Sequence, residues 1–488
     1  MTLMRWYTTD VVLGAGPPGT DAGREEPPYM RVAMVYANTA NAVGRGAGLI
    51  AAAVMTAGCD LDFYDTCHTS WEEATEAVAS GGYDLLLVSA MTMTFPDAAE
   101  LISSVKRRAT LPVLVGGLHA TIHGGRLLEE HPEIDYLCIG EGESFVVEFI
   151  QRLGTPELQD TLNLVYRDGD VVKVNPQRDP EDLSLLPDFP WHLFPEKAII
   201  HGKERFLYVN ASRGCPFNCT YCSNVTQLRM YGKGYLRFRP VEHVLSEIAY
   251  LKEHYTPRAF YFEDEMLFFN KEVATELFRG LKKMGVIYGA MARVEALDQE
   301  LVNTLAETGC RFLAVGVECG DEDFRRDFLN RRMTNQQIAD AVAMLKKAGI
   351  YTKTYNMIGY PVPNDADLTA ATVEFTERIA PDAAQFTILY PFPGTKLHDY
   401  CVENDLIDPE KVDSTRTYYE DSVLRGVSLA SLRDELDGRF NPLSQQLKMR
   451  QRLSDGSLRS RYEIGRAWLG LRRRELMKAF RGNGPSTH

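Results

Sequence analysis

At 488 residues the chain is long enough for two or three domains with ordinary cores. Its balance of 45% hydrophobic and 25% charged residues is that of a water-soluble globular protein. A formal net charge of −14 argues against general affinity for nucleic acid, which needs a basic face, so no nucleic-acid partner is expected.

No apolar run reaches the roughly 18 residues of a membrane span. The longest, Leu49 to Met55 and Asp84 to Met91, fit a buried helix and a buried strand. The first residues, MTLMRWYTTD, lack the charged and apolar regions of a signal peptide. Nine cysteines fall as one triplet and six scattered residues (Cys59, Cys67, Cys138, Cys310, Cys319 and Cys401), the pattern of a reduced, cytoplasmic protein.

Residues 1–29 are rich in Gly and Pro and predict a flexible arm. Gly14, Gly16 and Gly19 spell GxGxxG there, but a dinucleotide fingerprint must end a strand and open a helix. Pro17 and Pro18 sit inside the motif and no helical period follows, so it is read as a decoy.

From Arg31 the pattern is α/β over residues 30–150. Strands are predicted at RVAMVYA, DLDFYD, YDLLLVSA, LPVLVGG and DYLCIGEGE. Helices are predicted at GLIAAAVMTAG, Trp71 to Ser80, Pro96 to Arg107 and His123 to His131. This alternation predicts a parallel, doubly wound, Rossmann-like sheet that binds ligands at the carboxyl ends of its strands. Ser89, Thr92 and Thr94, then Gly116 and Gly117, then Gly140, Glu141, Gly142 and Glu143 fall at those ends. They offer hydroxyls, amides and backbone that allows close approach.

Residues 151–200 read as a connector, in which LVYRDGDVVKV places Asp-Gly at a hairpin turn. Trp191 and Phe194 are expected to fill a domain interface. Six strand and helix units follow over residues 201–400: FLYVNAS, AFYFEDE, IYGAMAR, FLAVGVE, TKTYNMIG and AQFTILY begin them. Six are too few for an eightfold barrel and predict a partial (β/α)6 barrel of TIM type, with its chemistry at the C-terminal ends of the strands. Residues 401–488 predict a mainly helical C-terminal region. Its basic helix, with Arg472, Arg473 and Arg474, is read as packed on the barrel, with peripheral membrane contact as the alternative. The final GNGPSTH is expected to be disordered.

The chemistry concentrates in VNASRGCPFNCTYCS, where Cys215, Cys219 and Cys222 are spaced CxxxCxxC. A 4Fe-4S cluster held only by protein normally takes four cysteines. Three leave one iron open. A zinc site would want a second paired knuckle, and a disulfide would leave one cysteine over, so both fit less well.

This stretch resembles the cluster loop of radical S-adenosylmethionine (SAM) enzymes, down to Tyr221 before the last cysteine. The resemblance implies that the open iron binds the amino and carboxylate groups of SAM. It also implies a polar turn for the SAM ammonium at Glu263, Asp264 and Glu265, and a basic group near its carboxylate at Arg293. Glu318 would meet the ribose hydroxyls, and the backbone of MIGYP, at Ile358 and Gly359, would flank the adenine. PFPGT, from Pro391 to Thr395, is a further family ending.

Residues 30–150 are similar to the cobalamin-binding domain that precedes many radical SAM domains. SAMTMTFPDAAELI, VLVGGLHAT and DYLCIGEGE match its third, fourth and fifth strand ends. Ser89, Thr92, Gly116, Gly117, Glu141 and Gly142 would then contact cobalamin. The DxHxxG motif of the methionine synthase type is missing: NTANAVGRGAG, after the first strand, has no His. That absence implies a cobalt whose lower face is not bound by His, and His68 and His119, at other strand ends, are read as structural.

Together these resemblances imply a cobalamin-dependent radical SAM C-methyltransferase. It would move a methyl group from SAM through methylcobalamin to an unactivated carbon of a small metabolite or lipid. An external electron donor such as flavodoxin or ferredoxin is implied. The alternatives are ring formation or rearrangement without methyl transfer, and a non-catalytic cobalamin or redox sensor.

Overall fold

A computed structural model of the chain describes residues 30–202, 205–412, 415, 422–427 and 429–441. The GAGPPG stretch, the basic C-terminal helix and the GNGPSTH end lie outside the described residues.

The first sheet is built from β1 (Arg31–Tyr36), β2 (Asp60–Asp65), β3 (Leu85–Ser89), β4 (Val113–Gly116) and β5 (Tyr136–Cys138). Helices α1 (Arg45–Thr56), α2 (Trp71–Ser80), α3 (Phe95–Lys106), α4 (Leu118–His123) and α5 (Gly125–Glu130) join the strands, and α6 (Glu143–Arg152) follows them. The strand order is β2-β1-β3-β4-β5, all parallel. Leu85 to Val88 are all buried, as befits a parallel strand covered by helices on both faces. The winding direction reverses between β1 and β3, which opens a crevice at their carboxyl ends.

Two local features depart from the sequence-based expectation. The helix predicted over His123 to His131 is α5, and a further helix that was not predicted, α4, precedes it, with Gly124 at a φ of +54° between the two. The hairpin predicted in the connector, β6 (Leu164–Asp168) and β7 (Val171–Val174), extends this sheet antiparallel beyond β5.

The chain then passes through α7 (Glu196–Ile199) and the edge strand β8 (Ile200–His201) into a second seven-stranded sheet. Its parallel strands are β9 (Phe206–Val209), then, after the short antiparallel ribbon β10 (Ser212–Arg213) and β11 (Arg237–Phe238), β12 (Ala259–Phe262), β13 (Tyr288–Ala292), β14 (Cys310–Glu318), β15 (Tyr351–Ile358) and β16 (Ala383–Ile388). The helices are α8 (Asn224–Tyr231), α9 (Val241–Tyr255), α10 (Lys271–Lys283), α11 (Gln299–Thr308), α12 (Glu322–Asp327), α13 (Asn335–Lys347) and α14 (Asp365–Ile379). The described chain ends with α15 (Lys396–Glu403), α16 (Pro409–Val412) and α17 (Ala430–Phe440).

The order β16-β15-β14-β13-β12-β9-β8 leaves this barrel open, with six parallel strands. Alternation along each strand sorts its residues. On β14, Leu313, Val315 and Val317 pack outward on the helices, whereas Phe312 and Ala314 face inward with Tyr261, Tyr208 and Tyr355. The same period turns Glu263, Arg293 and Glu318 toward the inner mouth. Trp191 and Phe194 close the seam between the two sheets: Phe194 meets Phe63 of β2 at 5.3 Å, and Trp191 joins the core of the barrel.

Candidate active site

The cysteine loop leaves β9 and is fixed at both ends. At its start, Ala211 N–H (2.9 Å) and Ser212 Oγ–H (2.5 Å) donate to the Asp264 carboxylate, as does Ser212 N–H. Gly214 has a φ of +102°, and a Cβ there would lie 2.5 Å from the Tyr235 carbonyl oxygen, so only glycine fits. Farther on, Thr220 donates its N–H to Leu329 and its hydroxyl to the Phe328 carbonyl, and α8 begins two residues after Cys222. Burial pushes the thiols of Cys215 and Cys222 up to about 11 and about 12.

Arg293, at the end of β13, lies over this loop. Its guanidinium stacks 3.8 Å from the centre of the Phe217 ring, donates to Cys219 Sγ at 3.5 Å and pairs with Glu295 at 2.6 Å. Glu318 ends β14 at a β-bulge with a φ of +68°, an unusual conformation for a carboxylate residue. Arg331, buried, donates from one nitrogen to both Glu318 Oε1 and Tyr221 Oη at 3.1 Å, and from the other to the Gly316 carbonyl at 3.0 Å. Tyr360 ties the next strand end in place by donating to the Glu318 and Met357 carbonyls.

The turn after β12 divides its three acids. Glu263 and Glu265 project into the open mouth, where enclosing protein raises both carboxyls, Glu263 to about 6. Asp264 turns the other way. It is fully buried and occupied by the start of the cysteine loop, so it positions that loop rather than facing a ligand. Ile358 buries its side chain against Leu436 of α17, and its carbonyl accepts the Leu389 N–H. Gly359, with a φ of +77°, turns the backbone at this point.

A cavity of about 580 Å³ lies between the two sheets. Ser89, Gly116, Gly117 and Gly142 line it from the first sheet, and Asn210, Ser212, Asn224 and Glu265 from the barrel. It continues inward along an apolar wall of Met34, Leu87, Leu114 and Phe145. Gly117 is held at a φ of +96°, and a Cβ there would meet the Ala90 carbonyl at 2.6 Å. Two predicted residues are engaged by other side chains. Thr92 lies outside the cavity lining, 3.4 Å from His119 Nδ1. Glu141 borders the cavity, and its carboxylate is held by Arg237 at 2.5 Å and 2.9 Å and by Arg213 at 3.1 Å.

Residues 209–372 match the Radical SAM superfamily and residues 39–150 the B12 binding domain. The uncharacterized methyltransferase PH0819 of Pyrococcus horikoshii is 30% identical over 329 residues, 66% of this chain and 70% of that protein. The chain belongs to the cobalamin-binding, methyltransferase-like family of radical SAM enzymes. The anaerobic magnesium-protoporphyrin IX monomethyl ester cyclase of Rubrivivax gelatinosus is 26% identical over 69% of this chain, which spans 62% of the cyclase. The radical SAM methyltransferase TsrM of Kitasatospora setae, solved with tryptophan and a SAM analogue, shares the fold at a TM-score of 0.65 and 18% identity, covering 77% of this chain and 76% of TsrM.

This family uses a 4Fe-4S cluster, SAM and cobalamin, and the residues fit all three. Buried thiols stay neutral unless a cation takes their charge, which iron does. No three His, Cys, Asp or Glu among the described residues converge on a single ion, and a cluster, whose irons each take one cysteine, does not need them to. The inner mouth offers acids and an arginine for the two ends of an amino acid. The glycine edge and apolar wall of the cavity leave room for a flat, largely apolar macrocycle.

Sequence reasoning missed Arg331, Arg213, Arg237 and Tyr231. Arg213 stands two residues before Cys215, and Arg331 lies in NRRM. An arginine in a loop reads as a surface residue until the fold shows what surrounds it.

Proposed function

We propose that this radical SAM enzyme is a C-methyltransferase that methylates an unactivated carbon of a small molecule. The observation that carries the reading is the shared cavity. One space is bordered both by the carboxyl edge of the first sheet and by Glu265, Asn210 and Ser212 at the start of the cluster loop and the turn after β12. Among the described residues no helix is long and apolar enough to cross a membrane.

When bound, the cluster supplies one electron that cleaves SAM to a hydrogen-abstracting radical, and the cobalamin carries the methyl group. The chain's own residues bind, aim and shield. Cys215, Cys219 and Cys222 hold three irons. Glu263 and Glu265 would attract the SAM ammonium, while Arg293, fixed on Phe217, would neutralise its carboxylate. Arg331 sets Tyr221 and Glu318 in one frame, with Glu318 placed to accept ribose hydroxyls and Gly359 giving backbone access beside them. Ser89, Gly116, Gly117 and Gly142 let a large cofactor approach the sheet edge without steric conflict. Residues 30–150 would thus form the cobalamin half and 201–400 the radical half, with an external one-electron donor such as flavodoxin or ferredoxin.

The test is anaerobic reconstitution with cluster, cobalamin and reductant, supplied with SAM labelled in its methyl group and a metabolite extract from cells lacking the gene. Label should appear in a product as well as in the cobalamin fraction. A second reading, ring formation without methyl transfer, is favoured by the similarity to the cyclase. It predicts deoxyadenosine and an unlabelled product.

A further inference from the structure

The loop after β5 and the entry to the cysteine loop are bolted together by buried charges. The Glu141 and Glu143 side chains are 5% and 6% exposed, in a loop that borders the cavity. Glu141 Oε1 accepts from Arg237 at 2.5 Å and pairs with Arg213 at 3.1 Å. Its Oε2 accepts from the second Arg237 nitrogen at 2.9 Å and from the Glu181 N–H at 2.7 Å. Glu143 takes the other Arg213 nitrogen at 2.6 Å. Arg213 and Arg237 face each other across the β10 and β11 ribbon, whose next residues are Gly214 and Cys215. From the barrel side, Tyr231, at the end of the helix that follows Cys222, receives the Glu141 N–H at 2.7 Å.

We infer that Glu141, with Arg237 and Arg213, is a positioning clasp that sets the distance and angle between the cobalamin edge and the cluster loop. Two carboxylates meet two guanidiniums, so the cluster is neutral as a set, and the bidentate Glu141–Arg237 pair fixes orientation as well as distance. The contacts come from both ends of the cysteine segment, since Arg213 and Arg237 precede and follow it and Tyr231 closes its helix. A shift of this loop therefore moves the cluster relative to the first sheet. Misplacement by about an ångström is enough to lower a transfer rate by orders of magnitude. The inference rests on the methyl-transfer reading for its functional consequence, but the clasp itself stands apart from that reading.

The experiment compares Glu141→Gln, Arg237→Gln and the double variant, each reconstituted with cluster and cobalamin. Three quantities are measured: hydroxocobalamin affinity by absorbance, deoxyadenosine formed, and labelled methyl transferred per deoxyadenosine. Each single variant should keep its iron and still cleave SAM, yet transfer at least tenfold less methyl per deoxyadenosine. Both should weaken hydroxocobalamin by a similar three- to tenfold, and the double variant should match the worse single within twofold. Glu141→Asp, which keeps the charge but is one methylene short of both partners, provides a folded variant with the same direction of loss if the amides do not fold. The inference is overturned if Glu141→Gln weakens cobalamin while Arg237→Gln does not, if the two losses multiply, or if all variants match the wild type. If the wild type transfers no methyl, the methyl-transfer reading fails, and the affinity comparison alone decides the clasp.

Discussion

Arg331 Nη1 donates to Glu318 Oε1 and to Tyr221 Oη at the same distance, 3.1 Å, so a single buried guanidinium joins the cluster loop to the fourth barrel strand. The end of β14 and the cysteine loop are thereby set as one rigid unit. Removing one partner of a buried charged pair leaves the other uncompensated, at a cost of about 3–5 kcal/mol. Arg331→Met should therefore retain iron but weaken SAM binding at least tenfold, measured by equilibrium dialysis of the reconstituted protein. Unchanged SAM affinity would remove Arg331 from the site.

Glu263 gives a pH dependence whose sign can be worked out. Enclosure raises its carboxyl to about 6, above the usual 4.5, so below that pH it is neutral and attracts no ammonium. SAM affinity should rise as pH climbs through about 6 and level off by about 7, with roughly tenfold between pH 5 and 7. Glu263→Gln should flatten this profile at the weak end. A wild-type profile that is already flat would separate Glu263 from SAM.

Asp264 holds the first turn of the cysteine loop through donors that all point at its carboxylate. In Asp264→Asn the amide directs hydrogens at some of those donors, and hydrogen bonds to a charged acceptor are worth about 1.5–3 kcal/mol. We expect a lower melting temperature and substoichiometric iron after reconstitution, read by calorimetry and iron analysis. Gly214→Ala should do the same by another route, because its positive φ and the nearby Tyr235 carbonyl leave no space, at roughly 1–3 kcal/mol for the backbone strain alone.

The lower cobalt face tests the first half of the molecule. NTANAVGRGAG has no His, and His119 is packed between Phe95 and His123, where burial lowers its ring to about 3. Electron paramagnetic resonance of the cob(II)alamin form should show no coupling to a protein imidazole nitrogen. If coupling appears, His243 of α9, which lines the cavity, is the residue to replace.

Much of the fold was legible because parallel strands announce themselves. LLLVS and AFYF are continuous apolar runs, and each is followed by a helical period closed by a capping or turn residue. The cysteine triplet was equally plain, since its spacing is a chemical demand. What escaped were properties set by tertiary neighbours. Nothing local tells Asp264 to turn under the cysteine loop while Glu263 and Glu265 face the mouth, as all three share one acidic run. Glu141 looked like a ligand for a cofactor because GEGE ends a strand; only the arrangement of the barrel brings Arg213 and Arg237 onto it. Helix α4, just ahead of the predicted one, also escaped, and Gly124 separates the two through a φ that the pattern around it does not reveal.

The measurement that tests the account most directly uses Cys219→Ala beside the wild type, both reconstituted anaerobically with iron, sulfide and cobalamin and given methyl-labelled SAM, reductant and extract. The wild type should show cluster absorbance, form deoxyadenosine and place label on a product carbon. Cys219→Ala should lose all three, because two cysteines cannot hold the cluster that leaves one iron open. Labelled product from Cys219→Ala, or deoxyadenosine without any labelled product from the wild type, would contradict the assignment of radical methyl transfer to this chain.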